Sequence, residues 1–148
     1  MKRDPALVSL SRDHHQALVV AKKLRDATGE NAGAARAAYL SYWEDHGEAH
    51  FRLEEEILLP AYAAHGDAYH PLVARTLCDH VAIRQRADAL LHDPAPAVAT
   101  LHELGGLLAD HVRREERELF PLIERAIPPA RLAVVAAALD ESGSHPAN

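Results

Sequence analysis

Two segments of the sequence repeat the same pairing of histidine with glutamate. HFRLEEEILLP begins at His50 and HVRREERELFP begins at His111, and in each segment a glutamate, Glu54 or Glu115, follows the histidine by four residues. Residues i and i+4 of a helix lie about 6 Å apart along its axis and on nearly the same face, so both side chains can reach one point. A metal ion, a shared proton or a buried salt bridge would use such a pair.

A second repeat connects the regions around His14 and His80. An aspartate precedes each of these histidines, as Asp13 and Asp79, and alanine and leucine recur at matching positions after each. The two repeats together indicate two copies of one helical hairpin. In each copy the leading helix carries Asp-His and the trailing helix carries His-x-x-x-Glu.

The pattern of apolar residues predicts helices almost throughout. Apolar positions recur every three or four residues, alanine and leucine are abundant, and β-branched residues are sparse. Breaks rich in glycine, proline or aspartate separate four main helices, predicted at residues 10–27, 33–63, 70–92 and 95–125. A short fifth helix is predicted at 129–141, with a frayed tail at 142–148. Because short connections make consecutive helices antiparallel, the predicted fold is all-α, an up-down-up-down four-helix bundle.

Packing the two hairpins face to face brings six side chains to one internal site: His14, His50, Glu54, His80, His111 and Glu115. Two carboxylates buried side by side are costly unless a cation or protons neutralise them. A protonated pair or two buried salt bridges would do so, but neither accounts for four histidines at one level. Imidazole and carboxylate without thiolate suit iron, manganese or zinc. Two carboxylates between two histidine pairs predict two metals that share the glutamates.

The inward face predicted for the second helix includes His46, His50, Glu54, Ile57 and Ala61. His46 lies one turn before His50 and is a candidate fifth imidazole, but the matching position of the other hairpin is Leu107. His15 is turned about 100° away from His14 around the first helix. The six-residue set is therefore the predicted ligand set, with His15 and His46 left open as additions.

The other polar residues and the prolines of the two repeated segments are expected to be structural. Glu55 and Glu116 are predicted to lie on solvated faces with neighbouring arginines as partners. Pro60 and Pro121 each follow a glutamate by six residues. We expect them to kink or end their helices where the bundle closes.

Composition limits the class of protein. A chain of 148 residues corresponds to one domain, predicted to span 1–148 with its core at about 7–125. Cys78 is the single cysteine, which excludes a disulfide within the chain and favours a cytoplasmic location. The formal net charge is -6 and no basic stripe is present, so nucleic acid is not an expected partner. No segment has the apolar length expected of a membrane span.

The order of the candidate ligands resembles that of the hemerythrin-like, or HHE cation-binding, domain. In both, a lone histidine precedes a His-x-x-x-Glu pair, and this order occurs twice on successive helices. The resemblance covers about residues 7–125 and implies a non-haem di-iron centre bridged by two carboxylates and an oxo or hydroxo group, where oxygen, nitric oxide or peroxide can bind. It implies the following roles: His14 and His50 on one iron, His80 and His111 on the other, and Glu54 and Glu115 as bridges.

One position departs from the oxygen-carrying members of that family. They have a second histidine one turn after the first on the third helix, where this chain has Arg84. Two octahedral irons would then keep about two positions open instead of one. This difference implies reaction with oxygen or peroxide rather than reversible carriage of oxygen.

Three classes of function stay open at this point. They are a module that binds oxygen, nitric oxide or peroxide, a peroxide-decomposing (catalase-like) enzyme, and a protein that stores or delivers iron. Manganese or zinc could replace iron, and the chain could be a monomer or a homodimer. Two other families fit less well. Ferritin-like proteins use Glu-x-x-His, the reverse order, and the phosphoesterases with an Asp-His-His signature need strands and further aspartates.

Overall fold

Helices form all the regular structure of the described residues. The structure, a computed structural model, describes residues 2–143, and within that range it contains no β-strand. The prediction of an all-helical fold is confirmed for this part of the chain. None of the helices between residues 2 and 143 is both long and apolar enough to cross a lipid bilayer.

The helices follow one another in five stretches. The first is a 3-10 turn, Pro5–Leu7, followed by α1 (Val8–Arg25). The second is continuous and comprises α2 (Ala32–Tyr42), the π-helical turn π1 (Trp43–Gly47), α3 (Glu48–Leu53), the π-helical turn π2 (Glu54–Leu58) and α4 (Leu59–Ala63). The third is α5 (Pro71–Leu91). The fourth comprises α6 (Val98–Arg114), the π-helical turn π3 (Glu115–Leu119) and α7 (Phe120–Ala126), and the fifth is α8 (Pro129–Gly143).

Prolines account for the largest difference between the predicted and observed helix ends. The fourth helix was expected from residue 95, but α6 begins at Val98. Pro94 and Pro96 disfavour helical backbone in the residues that precede them, and Ala97 is extended, with ψ of 144°. At the other end of the chain, α8 includes Ser142 and Gly143, the first two residues of the predicted tail. Residues 144–148 lie outside the described part of the chain.

A glycine sets the spacing between the helices α1 and α6, which pack closely against each other. A Cβ atom added to Gly105 would lie 2.7 Å from the backbone oxygen of Ala21 and 2.9 Å from the Cβ of Leu24. No side chain larger than hydrogen fits there without moving one helix. The two helices that carry His14 and His111 are therefore held at a short distance.

Two apolar clusters form the core, and the polar residues of the predicted site lie between them. The first cluster includes Ala17, Tyr42, Ile83 and Leu108, and the second includes Leu10, Leu58, Val73 and Leu119. Each predicted ligand is thus preceded by a residue of one cluster and followed by a residue of the other along its own helix. The predicted ligands lie on the same helix faces as these apolar residues, because residues three or four positions apart share a face. Burial of the apolar residues therefore buries the ligands as well.

The π-helical turns change which residues of the second stretch face inward. The predicted inward residues Ile57 and Ala61 are only half-buried, and the buried ones are Leu58 and Tyr62. The backbone N–H of Leu59 donates to the carbonyl of Glu54, five residues earlier. Because a π turn holds one residue more than an α turn, every position after it rotates around the axis. After Glu54, the residues that face inward are therefore one position later than predicted.

Neither Pro60 nor Pro121 ends its helix, so that alternative of the prediction is wrong. The α4 segment continues past Pro60 to Ala63, and α7 continues past Pro121 to Ala126. A proline in an α-helix clashes with the carbonyl four residues before it. Here π2 and π3 end two residues before the prolines, so the carbonyl four residues before each proline lies within the π turn, where the wider turn gives it more room.

Candidate metal centre

The six residues predicted from the sequence meet in one buried site, each with at most 3% of its surface exposed. They come from four helical stretches: His14 from α1, His50 and Glu54 from α3 and π2, His80 from α5, and His111 and Glu115 from α6 and π3. Each glutamate is the first residue of a π-helical turn. Single π turns inside α-helices occur often at functional sites.

Glu54 lies between the two hairpins and presents one oxygen to each. Its Oε2 is 3.1 Å from Nε2 of His50, in the same helical stretch. Its Oε1 is 3.0 Å from Nε2 of His80, in the other hairpin. The two oxygens of one carboxylate therefore serve two different imidazoles.

Glu115 has the same arrangement from the opposite side. Its Oε1 is 2.8 Å from Nε2 of His14 and 4.0 Å from Nε2 of His50. Its Oε2 is 3.4 Å from Nε2 of His111. All four histidines thus direct Nε2 toward the two carboxylates.

These atoms form two groups, each with one ligand atom per residue and all within 4.8 Å of one another. The first group is His14, His50, Glu54 and Glu115, and the second is Glu54, His80, His111 and Glu115. Both glutamates belong to both groups. The pairing of histidines is the one expected from the sequence, while the ligand roles themselves stay a prediction.

The donor atoms suit a pair of cations. Among the residues that the structure describes, five nitrogen and oxygen atoms of the site are buried without a well-directed hydrogen bond, although some lie close to one another: Glu54 Oε1, Glu115 Oε2, His80 Nε2, His111 Nε2 and His14 Nδ1. Four of these five atoms are oxygens of the glutamates or Nε2 atoms that face them. A buried polar atom without a partner costs about 1–3 kcal/mol. Cations between the carboxylates would satisfy all four together, so these residues fit a two-metal centre.

The histidines and carboxylates of the site shift one another's ionisation. Burial lowers the pKa of His14, but the hydrogen bond to Glu115 and the nearby Glu116 carboxylate outweigh it and raise the pKa to about 9. Burial is likewise outweighed at His50, where the charge of Glu54 holds the pKa well above its usual range. Burial raises the pKa of Glu54, but the charge and hydrogen bond of His50 hold it well below its usual range. In the metal-free site His14 and His50 therefore favour the protonated form, and a metal must displace those protons to bind.

An aspartate holds the outer ring nitrogen of one histidine in each hairpin. Nδ1 of His50 lies 3.1 Å from Oδ2 of Asp13. Nδ1 of His111 lies 3.0 Å from Oδ2 of Asp79. A carboxylate at this position fixes which nitrogen carries the proton and leaves Nε2 free to bind a metal.

A glutamate from the opposite hairpin approaches the outer nitrogen of each remaining histidine. Nδ1 of His80 lies 2.6 Å from Oε2 of Glu55, and Nδ1 of His14 lies 3.6 Å from Oε2 of Glu116. The expectation that Glu55 and Glu116 lie on solvated faces was wrong, because both are half-buried against these rings. Both do pair with arginines, but with Arg84 and Arg3 rather than with neighbours in their own segments. The histidine contact and Ser11 lower the pKa of Glu116 although burial opposes this.

The four outer carboxylates left a signal in the sequence. Asp13 and Asp79 each precede a histidine of the predicted set, and Glu55 and Glu116 each follow a glutamate of that set. The repeat therefore extends beyond the six residues to Asp-His and His-x-x-x-Glu-Glu. Matching the two hairpins position by position would have identified all four.

The remaining candidates do not reach the centre. His15 and His46 are exposed and belong to neither group, so the prediction of His46 on the inward face of the second helix was wrong. His46 lies in the turn π1, and the buried residue of that turn is Gly47. Arg84 places Nη2 3.2 Å from Oε2 of Glu55, so it contacts the partner of His80 rather than the site itself.

Comparison with known proteins identifies a matching family. A family model described as the hemerythrin HHE cation binding domain matches residues 6–123. This span contains the six residues of the site and all four outer carboxylates. No curated protein and no solved structure matches the chain.

Proposed function

The chain belongs to the hemerythrin HHE cation-binding domain family, and from this premise we propose a non-haem di-iron protein whose centre binds or reacts with oxygen, nitric oxide or peroxide. The observation that carries the proposal is the position of the two glutamates. Each glutamate, Glu54 or Glu115, has one oxygen near a histidine of the first pair and the other oxygen near a histidine of the second pair. Two bridging carboxylates would have this arrangement. His14 and His50 would hold one iron, and His80 and His111 the other.

Two bound irons would supply one-electron redox chemistry and open positions for a small ligand. The protein's own contribution is to hold four Nε2 atoms and two carboxylates in place before the metal arrives. The π turns aim Glu54 and Glu115, and the outer carboxylates orient the rings. We further propose that the helices form the single-domain up-down-up-down bundle expected from the sequence, with α8 as the short fifth helix.

Burial limits what could reach the centre. Glu54 is fully buried and Glu115 is 1% exposed, so a ligand as small as oxygen, nitric oxide or peroxide is favoured over a larger substrate. The same burial makes rapid release of iron unfavourable, which disfavours iron storage or delivery. A catalase-like activity remains the alternative, and release of oxygen from peroxide would favour it. Manganese or zinc as the metal, a monomeric or dimeric state and a cytoplasmic location also stay predictions.

The first test is metal content per chain, measured by elemental analysis on protein purified without chelators. We expect two irons per chain together with near-ultraviolet absorption from charge transfer to iron. One zinc ion or no metal would contradict the di-iron proposal. Such a result would leave the family assignment intact.

Substitution of single histidines tests the ligand assignment. His50→Ala and His111→Ala should each remove one metal per chain, since each histidine lies in a different group. His46→Ala is the matched control, because His46 is exposed on the same helical stretch as His50. If both site variants keep two metals, the assignment is wrong.

A further inference from the structure

The two proposed metal positions differ in how their histidines are held from outside. The first position is defined by His14 and His50, and the second by His80 and His111, with the glutamates shared. Each of the four rings has a carboxylate near Nδ1, but these carboxylates are not equally fixed. The difference lies in their exposure, their distance and their own partners.

The carboxylates of the second position are both anchored by arginines. Asp79, with 6% of its side chain exposed, accepts from Nε of Arg75 at 3.1 Å and from Nη1 of Arg114 at 2.7 Å. Glu55 lies 2.6 Å from the His80 ring and accepts from Arg84. Both histidines of this position therefore have an outer acceptor that is itself held in place.

The carboxylates of the first position are held less firmly. The Asp13 side chain is 41% exposed, and among residues 2–143 it forms no ion pair with a lysine or arginine. Glu116 is 3.6 Å from Nδ1 of His14, too far for a hydrogen bond; it accepts from Ser11 at 2.9 Å and pairs with Nη2 of Arg3 at 3.5 Å, so its arginine holds it away from the ring rather than against it. Nδ1 of His14 is buried without a hydrogen bond among the described residues.

Aromatic packing adds to this difference. Phe51 stacks on the His80 ring with 3.8 Å between the ring centroids and 8° between the planes. His14 stacks instead on Phe120, at 5.3 Å between the ring centroids and 18° between the planes. The His80 ring is thus fixed by close contact on one face and by Glu55 at its edge.

The positive charges of the arginines lower the metal affinity of the second position, but this effect is smaller than that of the outer hydrogen bonds. The three arginines around the second position repel a cation, but they lie beyond the carboxylates that they neutralise. Arg75 is also 57% exposed, so solvent and salt screen its charge over a distance of about 8–10 Å. Loss of an outer hydrogen bond to a metal-binding histidine, in contrast, changes metal affinity by about 10–100-fold.

We propose that the two metal positions are unequal and that the first position, at His14 and His50, binds its ion more weakly. It fills last and empties first. Asp13 and Asp79 are positioning residues that act through His50 and His111. This inference rests on the proposed two-metal function.

Stepwise removal of metal tests the inequality. The wild-type protein is loaded with Fe²⁺ without oxygen, treated with increasing EDTA and separated from the chelator, and the iron per chain is counted. We expect two steps with a plateau at one iron per chain. Loss of both irons in a single step overturns the inequality and leaves the two-metal function standing, whereas a protein that never takes up two irons overturns the function itself.

A matched pair of variants identifies the weaker position. Asp13→Asn should weaken the first position alone by about 10–100-fold and lengthen the plateau. Asp79→Asn should weaken the second position and shorten it. Asparagine keeps the size of the side chain, and circular dichroism confirms that each variant is folded. The assignment is overturned if the two variants have the opposite effects, or if each shifts both steps equally as general destabilisation would.

Discussion

The ionisation of His14 links the site to the stability of the metal-free protein. Burial lowers its pKa, but Glu115 and Glu116 raise it from 6.5 to about 9. A histidine whose pKa is raised in the folded state stabilises that state fully below pH 6.5, and this contribution is lost as the pH rises through 9. The raised pKa corresponds to about 3 kcal/mol. We expect the free energy of unfolding of the metal-free protein, measured by denaturant titration, to fall by up to this amount between pH 6.5 and 9.

The metal-loaded protein provides the control for this pH dependence. A metal at His14 replaces the proton on Nε2, so the decline between pH 6.5 and 9 should be absent. Metal affinity should instead increase over the same range, because fewer protons compete for the imidazole. A metal-free protein whose stability is constant or rises with pH would show that the His14–Glu115 ion pair does not form.

At the scale of the helices, the close approach of α1 and α6 depends on Gly105. A methyl group there would lie 2.7 Å from the backbone oxygen of Ala21, and that backbone atom cannot rotate away. Overpacking of this kind costs about 1–3 kcal/mol. We therefore expect Gly105→Ala to lower the free energy of unfolding by about that amount, measured by denaturant titration.

The neighbouring glycine is a matched control for this prediction. A Cβ atom at Gly106 meets nothing within 4 Å. Alanine is the better helix former by up to about 1 kcal/mol, so Gly106→Ala should be neutral or stabilising. Equal destabilisation by the two substitutions would show that contact with α1 is not the cause.

The positions of the helices could be predicted from the sequence, but the π turns inside them could not. Helix positions follow from apolar periodicity and from breaks such as those at Pro94 and Pro96, which are local signals. The turns π2 and π3 were not predicted, because the i+4 spacing of His50 and Glu54 is compatible with an unbroken α-helix. A π turn is favoured only by its surroundings in three dimensions. The inward face of the second stretch was wrong after Glu54 for this reason.

The candidate site was predictable where the two hairpins repeat each other. Four histidines and two glutamates recur in one order, and the structure brings all six together. The role of Glu55 was not predictable from its own helix, because its partner His80 lies in the other hairpin. Such contacts depend on the distance between two helices, and the spacing of residues along one helix gives no information about that distance.

At the scale of the whole molecule, the charged centre lies between two apolar clusters. Each of the four helical stretches that carry the site contributes residues to both clusters. The helices therefore have apolar contacts that do not require the metal. In the metal-free protein the pKa values of His14 and His50 are raised, so these two rings favour the protonated form beside the glutamates and compensate in part for the missing metal.

Removal of the metal should consequently weaken the fold without abolishing it. A ligand that binds only the folded state stabilises it by about 2.7 kcal/mol when its concentration is 100 times its dissociation constant. We expect EDTA-treated protein at pH 7 to keep its helical circular dichroism and to unfold at a lower temperature than the loaded protein. Restoring Fe²⁺ without oxygen should restore the higher temperature. Loss of the helical signal on chelation would mean instead that the apolar clusters are insufficient, and that the metal itself joins the two hairpins.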